Sequence, residues 1–225
     1  MGNLLIKEKD IVVPGEVLAS GMDFLPGDGA FREKDDVIAS RLGLVSVKGR
    51  LIKLIPLSGK YMPKPNDTVI GKVIDMTFGG WIIDIGTFAK ANLSIKDTSE
   101  YISRDADLTQ YYDFGDIVCA KINKVIRNKV IDLTTKGMGL RKLKGGMLIK
   151  INPSKVPRVI GKGGSMVSMI KDGTDCKITV GQNGVVWIFG TDAKKEKLAK
   201  DAIKKIEEEA HEEGLTDKIK EFLKG

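Results

Sequence analysis

At 225 residues, the chain has room for one large domain or two to three small ones. Its hydrophobic fraction of 42% is enough for packed cores and argues against a wholly disordered polymer. No apolar run approaches the roughly 20 residues that span a bilayer, and Met1-Gly2-Asn3-Leu4-Leu5-Ile6-Lys7 meets charge too early for a secretory signal, so a soluble, intracellular, cytoplasmic protein with no membrane partner is expected.

The first block runs from about Lys7 to Lys60. It carries short apolar stretches (Ile11-Val12-Val13, Val37-Ile38-Ala39, Leu42-Gly43-Leu44-Val45, Leu51-Ile52-Lys53-Leu54-Ile55) broken by Pro14-Gly15 and Pro26-Gly27-Asp28-Gly29. Brief β-branched runs between Gly and Pro punctuation predict a small all-β unit. At about fifty residues it is marginal for independent stability and is expected to lean on a neighbour.

Pro56, Pro63 and Pro65 mark the passage to the second block. Thr68 to Thr77 alternates as a strand, Phe78-Gly79-Gly80 turns, and Trp81 to Ile85 returns as a second strand. A third strand is predicted at Ala89 to Ile95, and a long Asp- and Tyr-rich connection follows over Asp97 to Asp113 with one helical turn. Strands Asp116 to Val125 and Val130 to Thr134 flank the turn Arg127-Asn128-Lys129. Five short strands with one long insertion before the fourth fit a five-stranded OB-type barrel.

The third block starts near Lys144. A strand at Gly146 to Ile151 is followed by helices at Lys155 to Ile160 and Ser165 to Lys171, separated by Gly161-Lys162-Gly163-Gly164. Strands Lys177 to Val180 and Val185 to Phe189 are joined by Gly181-Gln182-Asn183-Gly184, where Asn-Gly signals a hairpin. Asp192 caps a long helix with Leu198, Ala202, Ile203, Ile206 and Ala210 on one face; Gly214 stops it and Thr216 starts a short tail helix. The expected fold is thus multidomain, mainly β and then α+β, with boundaries at 1–60, 61–140 and 141–225.

Charge is unevenly placed along these blocks. Residues 1–60 carry 9 Lys/Arg against 8 Asp/Glu, and residues 61–140 carry 10 against 10. Residues 141–190 carry 9 against 2. A positive surplus confined to one stretch is the footprint of a phosphate-backbone binder.

The sharpest chemical signal lies in that stretch. Gly161 and Gly164 lack side chains, so a sugar–phosphate backbone can approach the main chain. The loop opens a helix, whose free N–H groups and dipole favour phosphate. Lys162, with Lys155 and Arg158 upstream and Gly163 inside the loop, adds charge and room without demanding a base identity. Replacing Gly161 and Lys162 by Asp is expected to lower RNA affinity while sparing the fold. The run Val159-Ile160-Gly161-Lys162-Gly163-Gly164-Ser165-Met166-Val167, set inside the order β-α-α-β-β-α, resembles the GXXG loop of type I KH domains. That resemblance implies a clamp for about four nucleotides of single-stranded RNA.

The second block is similar to S1 domains over residues 63–136, through Val69-Ile70-Gly71-Lys72-Val73, Phe78-Gly79-Gly80-Trp81-Ile82-Ile83-Asp84-Ile85-Gly86 and Gly115-Asp116-Ile117-Val118. Such barrels stack bases on exposed aromatics over a basic groove. The resemblance implies Phe78 and Trp81 as stacking residues, with Lys72, Lys121 and Arg127 as phosphate contacts. The family commonly carries a His in its third strand, and Leu93 stands at the position matched to it here.

The first block resembles the N-terminal domain of the exosome's RNA-binding cap subunit, notably in Val12-Val13-Pro14-Gly15-Glu16 and Gly27-Asp28-Gly29. The three-block order then matches that family in its compact archaeal form. The resemblance implies docking through Val12, Val13, Pro14, Gly15 and Glu16 on a hexameric ring of RNase PH-like subunits, with three caps per ring. RNA would pass between the caps to phosphorolytic 3′-to-5′ degradation. The sister cap subunit carries a zinc ribbon where this chain has KH, and no CxxC occurs here.

No catalytic or cofactor constellation stands out. Cys119 and Cys176 lie far apart in apolar segments and read as buried structural thiols. His211, the single histidine, sits among Glu207, Glu208, Glu209, Glu212 and Glu213 on a solvated helix face. Asp105, Asp107 and Asp113 read as loop solvation rather than a metal site, and Gly161 to Ser165 lacks P-loop spacing. No metal, cofactor or enzymatic activity is expected. Two rivals remain: a transcription or translation factor acting on nascent RNA or the ribosome, and a nuclease of the polynucleotide phosphorylase kind. The latter family places KH before S1 on a large catalytic core.

Overall fold

Short β-branched runs between turn residues build the first of two units, residues 1–59, in the computed structural model, which describes residues 2–103, 105–126, 130–210 and 214–223. Its strands are β1 (Asn3–Leu4), β2 (Ile11–Val12), β3 (Val17–Ser20), β4 (Leu25–Pro26), β5 (Ala30–Glu33), β6 (Asp36–Ala39), β7 (Gly43–Lys48) and β8 (Leu51–Pro56). They form two four-stranded sheets, β1-β3-β6-β5 and β2-β7-β8-β4. Val12, Leu18, Val37, Val45, Ile52 and Leu54 are buried in its core. Between β2 and β3 the chain reverses at Val13-Pro14-Gly15-Glu16, where Glu16 N donates to Val13 O at 3.2 Å. Pro14 presets its own φ and Gly15, at φ 89°, supplies the left-handed residue of a type II turn.

The second unit, residues 60–225, holds the barrel and the helical block. In the barrel are β9 (Thr68–Thr77), β10 (Gly80–Asp84), β11 (Ala91–Ser94), β12 (Ile117–Val125) and β13 (Ile131–Thr134). Strand order is β13-β11-β10-β9-β12, closed by β13 on β12, with β11 and β13 parallel. This is the five-stranded Greek-key closure of an OB fold. The connection between β11 and β12 holds 3₁₀ turns at Ile95–Asp97 and Leu108–Gln110. The predicted turn Arg127-Asn128-Lys129 lies outside the described residues. A further strand, β14 (Arg141–Leu143), pairs with Ile117, Val118 and Cys119 of β12. The barrel's sheet therefore runs past the boundary expected at residue 140.

Strands β15 (Met147–Lys150), β16 (Lys177–Val180) and β17 (Val185–Phe189) form a sheet in the order β15-β17-β16. Helices α1 (Val156–Ile160), α2 (Ser165–Thr174), α3 (Ala193–Glu208) and α4 (Leu215–Phe222) accompany it. The order through α3 is β-α-α-β-β-α, as the sequence predicts. Asp192 caps α3 by accepting from Lys194 N at 2.9 Å. Along α3 the fully buried positions are Ala199, Ala202, Ile203 and Ile206, while Leu198 is only half-buried. Four of the five expected positions, Ala202, Ile203, Ile206 and Ala210, are thus buried, and Ala199 is buried where Leu198 was expected. Ile70, Cys119, Leu143 and Trp187 form a separate buried cluster that joins barrel strands to the α/β block. Among the described residues, no helix is long and apolar enough to cross a membrane.

Candidate nucleic-acid interface

Helix α1 is fixed by Val156 and Val159, both fully buried, and ends where Gly161 takes φ 75°. Gly163 and Gly164 also have positive φ, 61° and 85°, so the chain makes a left-handed bend and re-enters a helix at Ser165. No side chain caps α2, which leaves the first-turn main chain to solvent or an anion. The three glycines differ in what surrounds them. A Cβ on Gly161 would lie 2.7 Å from both Met166 Cβ and Met166 N, whereas Gly163 and Gly164 face open space. Gly161 is therefore needed to close the turn, and the glycines after Lys162 leave the outer face bare. This corrects one expectation: Gly161→Asp would disturb the fold, so a charge reversal belongs at Lys162 and Gly163.

Lys162 and Gly163 are exposed at the tip of the bend, and Lys155 is half-buried at the end of the 3₁₀ turn Pro153–Lys155. Arg158 is exposed at the surface of α1. Its Nε donates to Ala210 O at 2.8 Å and ties α1 to the chain beyond α3. Beside the loop opens a cleft of about 340 Å³, walled by Ile160, Val167, Lys171 and Ile178 and, across from them, by Met138 and Arg141. The sequence reading did not include Lys171, Met138 or Arg141. Lys171 lies on α2, whose inner face carries Met166 and Ile170; Met138 and Arg141 reach the cleft only through the tertiary packing of the barrel.

On the barrel, Phe78 stands fully exposed in the turn between β9 and β10. Trp81 does not. Only 1% of it is accessible, its Nε1 donates to Tyr112 O at 2.9 Å, and its ring meets that of Tyr112 edge-on at 5.0 Å. Trp81 is a core residue, because β10 alternates and position 81 points inward together with its cross-strand partner Leu93. Leu93 being internal, the outward positions of the third strand are Asn92 and Ser94. Lys72 is exposed in the middle of β9, and Lys121 is half-exposed opposite Thr68, at the far end of β9 from Phe78. The barrel residues expected to act together are thus not one cluster, and Arg127 lies outside the described residues.

In the first unit, Val12 is buried in the core and offers nothing to a partner, in contrast to its expected docking role. Val13, Pro14, Gly15 and Glu16 are exposed on their turn. The acidic side chains between β11 and β12 satisfy local backbone: Asp107 Oδ1 accepts from Thr109 N at 3.0 Å, and Asp113 Oδ1 from Phe114 N at 2.7 Å. Cys119 and Cys176 are both free and buried. Burial pushes the Cys119 thiol up to about 11.

Fold and loop together define a protein of the S1–KH type, an OB-type barrel joined to a KH domain and preceded by a separate β unit. The family description of the KH domain matches residues 146–194, and that of the Exosome complex exonuclease RRP4 N-terminal region matches residues 11–48. Among relatives, the Exosome complex component Rrp4 of Pyrococcus abyssi is 47% identical over 99% of this chain and 85% of its own length. That of Methanothermus fervidus is 49% identical over 98% of this chain and 97% of its own length. A solved structure described as that of an exosome complex RNA-binding protein superposes with a TM-score of 0.65 at 33% identity, over 74% of this chain and 96% of that one. The chain belongs to the Rrp4 family of exosome components.

Proposed function

We propose that the chain is a non-catalytic RNA-binding component of an exosome, which captures single-stranded RNA and delivers it to a ring of RNase PH-like subunits for phosphorolytic 3′-to-5′ degradation. The observation that carries this reading is the bare, left-handed bend at Lys162-Gly163-Gly164 ahead of an uncapped α2. Bare main chain and one lysine can hold a phosphate without demanding a base identity. The 9-to-2 excess of basic over acidic residues in 141–190 supports the same assignment. Residues 141–225 and 61–140 are read as the RNA-binding parts, and 1–60 as the part that docks on the ring through the exposed turn Val13-Pro14-Gly15-Glu16. Three copies per ring and a cytoplasmic location complete the proposal. Full-length relatedness to exosome components favours it over a transcription or translation factor.

The test is the double change Lys162→Asp, Gly163→Asp in the full chain, with binding of a labelled single-stranded oligoribonucleotide read by anisotropy. Affinity should fall at least about tenfold as the loop's charge is reversed, with the chain still folded at the assay temperature and its stability lowered only by the roughly 1–2 kcal/mol that a side chain at the positive φ of Gly163 costs. Equal affinity would remove the loop from the mechanism. Incubation of the purified chain with labelled RNA and phosphate should leave the RNA intact, and any shortening would overturn the non-catalytic reading.

A further inference from the structure

Next to the Phe78 turn, the chain leaving β11 shapes a second concave surface. Ile95 N donates to Gly79 O at 2.9 Å, so this segment begins against the turn that presents Phe78. From there Ile95, Lys96, Glu100, Tyr101, Ile102 and Lys136 surround an open cavity of about 420 Å³. Its walls are held by two buried threonines. Thr98 Oγ1 lies 2.7 Å from Ile95 O and 2.8 Å from Glu100 O, its one proton serving either carbonyl, and Thr135 Oγ1 accepts from Ser99 N at 3.1 Å. Thr134 Oγ1 and Thr135 N both donate to Asp97 O, at 2.9 Å each. Against this braced backbone, Tyr101 is 94% accessible, and the Lys96 and Lys136 side chains are exposed. An aromatic ring left in water on a rigid support gives up the apolar burial it could otherwise have gained.

We propose that Tyr101, flanked by Lys96 and Lys136, is a base-stacking subsite for single-stranded RNA, continuing the path that begins at Phe78. Stacking rings beside lysines are the chemistry by which OB-type barrels hold a strand without reading its sequence. The lysines outnumber Glu100, the one acid among the cavity's lining residues, so the rim carries net positive charge. Because Trp81 is internal, Tyr101 takes the second aromatic place on the barrel that the sequence assigned to Trp81. The inference rests on the RNA-binding reading and extends it to a surface that the KH loop does not touch.

The test uses the full chain and a fluorescein-labelled oligouridylate. Tyr101→Ala should weaken binding by about tenfold, and Tyr101→Phe, which keeps the ring, should restore it. Lys96→Ala with Lys136→Ala should make binding less steeply dependent on salt, lowering the log–log slope by about 1.4. An oligonucleotide containing 4-thiouridine should crosslink to the peptide carrying Tyr101. If the Lys162→Asp, Gly163→Asp chain loses affinity while Tyr101→Ala binds as the parent does and the parent gives no crosslink at the Tyr101 peptide, the subsite is wrong. If neither variant loses affinity, the RNA-binding reading itself falls.

Discussion

Asn183 and Ile70 exchange hydrogen bonds across 113 residues of chain: Asn183 Nδ2 donates to Ile70 O at 2.8 Å, and Ile70 N donates to Asn183 Oδ1 at 3.2 Å. Nδ2 also donates to Ile85 O at 2.9 Å. The turn between β16 and β17 thus plugs the wall of the barrel, and Gln182 N adds a bond to Thr68 O at 2.7 Å. Asn183→Leu would keep the branching at Cγ in a bulkier side chain and leave a buried N–H and two carbonyls with lost partners. Unfolding free energy should drop by about 2–4 kcal/mol, measured by urea denaturation. A change under about 0.5 kcal/mol would mean water replaces the amide.

The glycines of the loop should separate by substitution. Gly161→Ala meets Met166 Cβ and backbone N at 2.7 Å and suffers the left-handed penalty as well, whereas Gly163→Ala has only the penalty, since open space surrounds it. Gly163→Ala should cost about 1–2 kcal/mol, and Gly161→Ala clearly more, in the same denaturation experiment. Equal costs would deny Gly161 its place as the close-packed corner.

Phe78 and Trp81 should behave as opposites. Phe78→Ala removes a fully exposed ring and should weaken RNA binding about five- to tenfold at unchanged stability. Trp81→Ala opens the barrel core and orphans Tyr112 O, costing about 3–5 kcal/mol. Thermal melts alongside anisotropy would expose any exchange of these roles.

The alkaline limb of stability should carry a contribution from Cys119. Its thiol ionises near 9.0 when unfolded and near about 11 when buried. A raised folded value means that the contribution is complete below pH 9 and is lost as pH rises toward 11. Burial raises Tyr61 and Tyr112 in the same direction, so the parent melting temperature should fall across this window. Cys119→Ala should fall less steeply there than the parent. Parallel curves would show that Cys119 does not titrate on unfolding.

The order of elements was legible because it is written in local chemistry. Alternation revealed β9 and β10, Asn183-Gly184 the hairpin, Asp192 the start of α3, and Gly161 the break between α1 and α2. Short strands such as β1 and β4, two residues each, escape because so few residues carry no period. The KH loop was legible for the same reason as its helices: its glycines act through their own φ. The barrel's surface was not, since Trp81 and Tyr101 are both aromatic and only the strand's inward phase distinguishes a core ring from an exposed one.

By itself, then, the chain of residues determined the order of most strands and helices, a basic stretch at 141–190 and a glycine bend between two helices, all set by backbone preference and charge within a few positions. Tertiary structure alone decided that Trp81 and Val12 are internal, that Arg158 spends its Nε on Ala210 O, and that Met138 and Arg141 line a cleft with Ile160 and Val167. Those outcomes depend on which surfaces exclude water from one another, a property of distant segments meeting that no short stretch of sequence contains.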